Sequence, residues 1–305
     1  MNRVLITGAT GFVGQHCLPL LRERTTEVHA VCCHTQPVPS HGIHWHRLDL
    51  LDHHATEELF RTLQPSHLLH TAWFTKPPEF WSSPENLRWL ESSMTILQQF
   101  QTHGGERAVC TGSCAEYDWS RGYCQESSTP LLPATIYGKC KHMLQRYLDT
   151  FGNLNGLSTA WARIFFLYGP GAHPEKFPGS IISTLLSDQS AVCSQGHLVR
   201  DFLHIADAAD SLVSLLDSSC EGPINVGSGI PVRLEEMAAQ IADQLQRRPL
   251  LTIQRTPGPG PEPPVLLADV SRLRNELKWS PRFGWRKGLS DTTDWWERNL
   301  QHHAA

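Results

Sequence analysis

Residues 4–14 read Val4-Leu5-Ile6-Thr7-Gly8-Ala9-Thr10-Gly11-Phe12-Val13-Gly14. The apolar run Val4-Leu5-Ile6 predicts a strand, within Arg3 to Thr7. From Phe12 to Glu23, Val13, Cys17, Leu18 and Leu21 fall on one face at helical spacing. Between strand and helix stands GxxGxxG. Glycines let a backbone turn tightly, and a helix N-terminus offers unpaired N–H groups and the positive end of a dipole. Gly8, Gly11 and Gly14 therefore predict a turn that cradles a pyrophosphate, which is the mark of a dinucleotide-binding strand–helix unit.

Outward from that turn, strands and helices alternate. Strands are predicted at Val28 to Cys32, Ile43 to Leu48, His67 to Ala72, Arg107 to Thr111 and Thr159 to Phe166. Helices are predicted at Ala55 to Leu63, Glu85 to Gln101 and Thr135 to Phe151. Such alternation argues for an α/β fold with a doubly wound parallel sheet of Rossmann type. Beyond about residue 167 the alternation gives way to loops and short elements. The expectation is a cofactor-binding domain over 1–167 and a smaller α/β substrate domain over 168–305, with later segments returning to the first sheet. Asp269 to Trp279 and Leu289 to Trp296 read as closing helices.

The 305 residues carry 26 basic and 30 acidic side chains, a formal charge of −4. That balance, without a basic run, gives no reason to expect nucleic acid or an anionic membrane. No apolar stretch approaches the length of a membrane span. Met1-Asn2-Arg3 leads straight into the first strand, so a cytoplasmic chain without a leader is expected. The 9 cysteines are irregularly spaced and read as free thiols. The 17 histidines form no HExxH, and no CxxC occurs, so no metal is expected.

Tyr137 and Lys141 lie four residues apart on a predicted helix and share a face. An ammonium beside a phenol stabilises the phenolate, which suits Tyr137 to proton transfer between an alcohol and a ketone. Ser113, just past the fifth strand, can hold the substrate oxygen. An acid at the end of the second strand would bind a ribose 2′-hydroxyl and an Arg a 2′-phosphate. Cys32, Cys33 and His34 supply neither, so NAD and NADP both stay open. Asp49 is either a contact to the adenine edge or a solvated loop acid.

These motifs resemble the extended short-chain dehydrogenase/reductase superfamily, in its NAD-dependent epimerase/dehydratase branch. The matching segments are Thr7 to Gly14, Thr111 to Tyr117, Tyr137 to Lys141, Arg163 to Pro170, Arg200 to Asp207 and Ile224 to Gly229. The resemblance implies catalysis by Ser113, Tyr137 and Lys141. It implies cofactor contacts at Gly8, Thr10, Gly11, Phe12, Val13, Cys33, Asp49, Leu50, Thr71, Ala72, Trp73, Tyr137 and Lys141. It implies substrate contacts at Lys76, Ser113, Glu116 and Arg200, the guanidinium fork of Arg200 suiting a phosphate. A nucleotide sugar is the implied substrate and a homodimer, through the helices Glu85–Gln101 and Thr135–Phe151, the implied assembly.

Three departures narrow this. Relatives that dehydrate hexoses carry Asp-Glu after the catalytic Thr, where Cys114-Ala115 stand here. Phe166 replaces an expected Asn. Pro257 to Pro264 replaces a later diphosphate-binding Arg. The leading reading is reduction of a keto-deoxy sugar on a nucleotide, by a 4-ketoreductase/dehydrogenase. The runner-up is an epimerase using transient oxidation, and a cofactor-sensing regulator is the third. Trp73, Trp81 and Trp119 are read as core or pocket wall.

Overall fold

The computed structural model describes residues 2–25, 27–34, 41–256 and 262–303. From the N-terminus the chain forms β1 (Arg3–Thr7), α1 (Gly14–Arg24), β2 (Glu27–Cys32), β3 (Ile43–Arg47), α2 (His53–Leu63), β4 (His67–His70), α3 (Glu85–Thr102) and β5 (Arg107–Ser113). Next come β6 (Tyr123–Cys124), α4 (Ile136–Asn155), β7 (Ser158–Ile164), β8 (Phe166–Tyr168), α5 (Gly179–Leu186), β9 (Ala191–Cys193), β10 (Val199–His204) and α6 (Ile205–Leu216). The chain closes with β11 (Gly222–Val226), β12 (Pro231–Arg233), α7 (Leu234–Gln244), β13 (Leu251–Ile253), β14 (Val265–Ala268), α8 (Ser271–Asn275) and α9 (Trp285–His303).

Seven strands make one parallel sheet in the order β11-β7-β5-β4-β1-β2-β3. Its central strands are buried on both faces, which is why Val4-Leu5-Ile6 is continuously apolar. Val4, Ile6, Val28 and Ala30 pack on one side with Cys17 and Leu21 of α1 and Leu212 and Val213 of α6. Leu5, Leu68 and Ala108 pack on the other with Phe60, Ile96, Phe100 and Leu144. The sheet is thus sandwiched by helices, the doubly wound fold that the alternation predicted. The strand order reverses direction at β1, between β2 and β4, so the carboxyl ends of β1, β4 and β5 line one crevice.

The sixth predicted strand is two elements. It ends at Ile164, and Phe166–Tyr168 leaves to pair with β10. A second sheet, β12-β10-β14-β6, joins strands that are far apart in sequence. The predicted closing helices are also redrawn. Only Ser271–Asn275 is helical in the first, while the second extends over Trp285–His303. The residues Pro257 to Pro261, where the departure from an expected Arg was noted, lie outside the described residues. Among the described residues no helix is long and apolar enough to cross a membrane, and no group of three or more His, Cys, Asp or Glu is placed to hold a metal ion.

Candidate active site

The glycine turn begins where β1 ends. Gly8 adopts a φ of +66°, a conformation open to glycine at little cost. Gly11 N–H donates to the Gly8 carbonyl at 3.0 Å. A Cβ on Gly14 would collide with that same carbonyl oxygen, so only glycine lets α1 start this close to the strand. The helix ends differ in an informative way. Asp52 caps α2 by accepting from Ala55 N–H at 3.0 Å, and Thr135 caps α4 by accepting from Gly138 N–H at 3.0 Å. Val13 caps α1 with no side-chain hydrogen bond, and the first turn of α1 holds no acid. Its leading N–H groups are thus free of side-chain acceptors beside an exposed Gly11, and Thr10, Phe12 and Val13 flank it half-buried. This is the cradle a dinucleotide diphosphate requires.

The loop after β4 is tied to the turn. Thr71 Oγ1 donates to the Thr7 carbonyl at 2.7 Å, and Ala72 N–H donates to Thr7 Oγ1 at 3.4 Å. Thr7 also meets His70 Nδ1 at 2.7 Å, while His70 Nε2 meets Ser93 Oγ at 2.8 Å. Burial, and then the charge of Lys141, push the His70 imidazole down to about 3, so it stays neutral.

Ser113 ends β5 and caps the single 3₁₀ turn that follows. Its Oγ accepts from Ala115 N–H at 3.2 Å. Tyr137, near the start of α4, has the Ser113 side chain beside its phenol. Lys141 lies one turn along the same helix, and its Nζ donates to the Thr111 carbonyl at 2.8 Å. That amine also stands 3.8 Å above the centre of the Trp73 ring. The structure therefore brings Ser113, Tyr137, Lys141 and Trp73 together.

The electrostatics differ from the simple reading of a Tyr/Lys pair. Burial pushes the Tyr137 phenol up, only partly opposed by the neighbouring Ser113 side chain. Burial brings the Lys141 amine down to about 7, with Glu116 opposing the shift. Desolvation is the largest influence on each, and it disfavours both charged forms at once. The pair rests as a neutral phenol beside a lysine poised to lose its proton.

An aromatic wall surrounds Tyr137. Phe80 and Trp81 meet its ring edge-on at centroid distances of 5.1 and 5.7 Å, and Trp119 meets Trp81 at 6.1 Å. Trp73 and Trp119 spend their N–H groups on Asn86 Oδ1 and the Cys114 carbonyl. They present ring surface to the site rather than donors.

The remaining candidates are placed as follows. The Asp49 carboxylate accepts from Leu51 N–H at 3.0 Å, and the buried Leu50 carbonyl accepts from Ser92 Oγ at 2.6 Å. Cys33 Sγ lies 3.5 Å from His34 Nε2, and its carbonyl accepts from Arg47 Nε. Lys76 is exposed and paired with Glu79 at 2.8 Å. Arg200 is buried in the second sheet, where its guanidinium is taken up by the Val199 and Pro263 carbonyls and by Glu262 at 2.8 Å.

Glu116 has its partners inside the protein. It is fully buried, and its oxygens accept from Ser113 N–H, Trp161 Nε1 and Arg163 Nε. A carboxylate so enclosed has no face for a substrate. Reading along the sequence missed Trp161 and Arg163 as its partners. The available signal was an Arg within the strand Ser158–Ile164 and a Glu in the turn after the neighbouring strand, since a buried charge needs a partner.

Comparison with known proteins finds nucleotide-sugar enzymes. A zebrafish (Danio rerio) UDP-glucuronic acid decarboxylase 1 is 24% identical over 99% of this chain and 74% of its own length. A rice (Oryza sativa subsp. japonica) UDP-glucose 4-epimerase 1 is 24% identical over 98% of this chain and 96% of its own. The solved structure of MoeE5 with UDP-glucuronic acid and NAD superposes with a TM-score of 0.84 at 28% identity, covering 98% of this chain and 100% of that one. The profile of one family spans residues 4–227, from β1 through the glycine turn, Ser113, Tyr137 and Lys141 to the end of β11. With that profile matching residues 4–227 and the doubly wound fold in place, the chain belongs to the NAD dependent epimerase/dehydratase family.

Proposed function

We propose that this chain is an NAD-dependent enzyme that moves hydride at a sugar carbon of a nucleotide sugar, as a 4-ketoreductase/dehydrogenase. The observation that carries the reading is Ser113 beside Tyr137, with Lys141 one turn along the same helix and its amine held at the Thr111 carbonyl, on the same sheet edge as the uncapped start of α1. NAD is favoured over NADP by the NAD bound in MoeE5. When bound, the nicotinamide supplies or accepts the hydride.

The chain's own residues do the rest. Ser113 holds the substrate oxygen. Tyr137, kept protonated by burial, delivers a proton to a carbonyl oxygen as it becomes a hydroxyl. Lys141 would hold the cofactor ribose, and its loosely held proton is available to replace the one Tyr137 gives up. Around them Gly8, Gly11, Thr10, Phe12 and Val13 take the diphosphate. Cys33, Asp49 and Leu50 meet the adenosine end, and Thr71, Ala72 and Trp73 meet the nicotinamide side. The large sheet holds the cofactor, while the assembly after residue 167 closes over the sugar and its nucleotide. Arg200 would meet phosphate by releasing Glu262, and Lys76 stands at the rim. We further propose a cytoplasmic homodimer packed through α3 and α4, where Leu87 and Met143 are exposed.

A second reading has support from the rice relative: an epimerase that oxidises and re-reduces the same carbon without net use of cofactor. The NADH absorbance band distinguishes the two. Purified protein is mixed with NAD and, in turn, UDP-glucose, UDP-galactose and UDP-glucuronic acid. Stoichiometric NADH formation supports the dehydrogenase, and sugar interconversion at constant absorbance supports the epimerase. Loss of neither sugar nor cofactor from any mixture, with NADH and the keto sugars equally inert, contradicts both.

A further inference from the structure

The residue next to the reacting pair that has no place in the proposed chemistry is Glu116. Its carboxylate accepts from Ser113 N–H at 2.7 Å, from Trp161 Nε1 at 2.9 Å and from Arg163 Nε at 2.9 Å. Arg163 passes the contact on to the Tyr117 hydroxyl at 3.1 Å, and Tyr117 donates to Asn225 Oδ1 at 2.8 Å. Every member of this network is buried, from β5 across β7 to β11. A buried ion pair adds little to stability against an apolar replacement, so its presence calls for another reason.

The geometry supplies one. Glu116 and Ser113 form a capping box: the Glu116 carboxylate takes the Ser113 N–H while the Ser113 hydroxyl oxygen takes the Ala115 N–H. With that oxygen held as an acceptor, the Ser113 hydroxyl keeps its proton free to donate on the side where Tyr137 lies. The same turn seats α4. A Cβ on Gly138, the residue after Tyr137, would collide with the Ala115 carbonyl, so the helix rests directly on the turn that Glu116 holds. The space for the carboxylate is reserved from β5 itself, since a Cβ on Gly112 would strike both Glu116 Oε1 and Trp161 Nε1.

We propose that Glu116 is a positioning residue for the Ser113–Tyr137 pair: its carboxylate, clamped by Arg163 and Trp161, fixes the turn that aims the Ser113 hydroxyl and seats Tyr137. The inference rests on the redox reading of that pair.

Glu116→Gln tests it. A carboxamide offers one acceptor oxygen to three donors, so its NH₂ must face Arg163 or Ser113. Should that variant fold poorly, the neutral pair Glu116→Gln/Arg163→Met leaves no buried guanidinium unpaired. Two readouts are taken on folded protein. The first needs no substrate: amide hydrogen exchange of the peptide 107–117, where Ser113 N–H should exchange at least about tenfold faster than in the natural protein. The second is turnover of UDP-glucose or UDP-galactose with NAD, using whichever sugar is faster. Misplacement of a reacting group by a fraction of an ångström lowers kcat about 100-fold, with KM and NAD Kd within about threefold.

Glu116 also raises the proton affinity of both Tyr137 and Lys141. Its neutralisation therefore moves the alkaline limb of the kcat profile to lower pH, which a merely structural role would not do. The Cys110, Cys114 and Cys140 thiols, which also face the pair, are unchanged in these variants. An unaltered Ser113 amide, or a kcat within about threefold of the natural protein, overturns the proposal. If instead Tyr137→Phe turns over as fast as the natural protein, the redox reading falls, and the exchange rate alone decides whether Glu116 holds Ser113.

Discussion

Two turns at the same edge of one sheet are built on opposite plans. The glycine turn after β1 is made of backbone. Its helix has no side-chain cap, its middle glycine is exposed, and it holds no charged side chain. The Ser113 turn after β5, two strands away, is made of side chains. Serine, glutamate, tryptophan and arginine there satisfy one another in the interior. The first is completed only when an anion arrives, whereas the second is assembled before any ligand does. Binding can rely on groups that water satisfies meanwhile, but proton transfer requires geometry fixed in advance.

Breaking the preassembled turn should cost the most. Tyr137→Phe removes the proton carrier and is expected to lower kcat by about 10²–10⁴-fold while leaving NAD affinity unchanged. Steady-state kinetics with calorimetric titration of NAD would check it. A fall in NAD affinity instead would show that the phenol mainly binds cofactor.

Damage to the backbone turn should show the reverse split. Gly14→Ala drives a Cβ into the Gly8 carbonyl and the Ala9 backbone. The turn must shift, weakening NAD binding by about 10–100-fold, with kcat at saturating NAD largely kept. Equal losses in kcat and affinity would mean that the two turns do not act separately.

Lys141 sharpens the comparison through pH. Burial holds its folded pKa at about 7 against 10.5 for a free lysine. Below that folded value the amine is charged in both states, and the folded state carries the whole desolvation cost. As the pH rises toward 10.5 the unfolded chain keeps a proton that the folded chain has shed, so natural stability climbs. Lys141→Met removes that climb. Denaturant titrations should find the variant's relative stability highest below about pH 7 and falling toward about pH 10. A difference flat with pH would mean that the amine is not desolvated.

The smallest effect belongs to the rim. Lys76 is exposed and already paired with Glu79, so Lys76→Ala should change sugar KM by no more than about twofold. A larger rise would give Lys76 a direct place on the substrate.

Much of this was legible in the sequence because it is local. The strand–turn–helix of residues 4–14 follows from an apolar run, three glycines and helical spacing. Tyr137 and Lys141 share a helix face wherever that helix goes. What was not legible depends on distant partners. Glu116 reads as either a nearby carboxylate or a structural one, and its partners Trp161 and Arg163 come from β7, far along the chain. Lys141 reads as a cation that lowers its neighbour's pKa until burial beneath Trp73 removes much of its own charge. Residues 166–168 continue a strand in sequence, yet join another sheet because β10 offers a partner there. The segment Asp269 to Trp279 has helical spacing but forms only one short helix, with the Asp269 carboxylate accepting from Ser271 N–H at its start.

The central claim is that hydride passes between a sugar carbon and the nicotinamide beside Tyr137. The most direct measurement uses UDP-glucose or UDP-galactose deuterated at C4, mixed with the protein and NAD and quenched rapidly in organic solvent for mass spectrometry of the cofactor. The account predicts deuterium on the reduced nicotinamide in the natural protein and none with Tyr137→Phe. Turnover of the sugar with an unlabelled cofactor would contradict it.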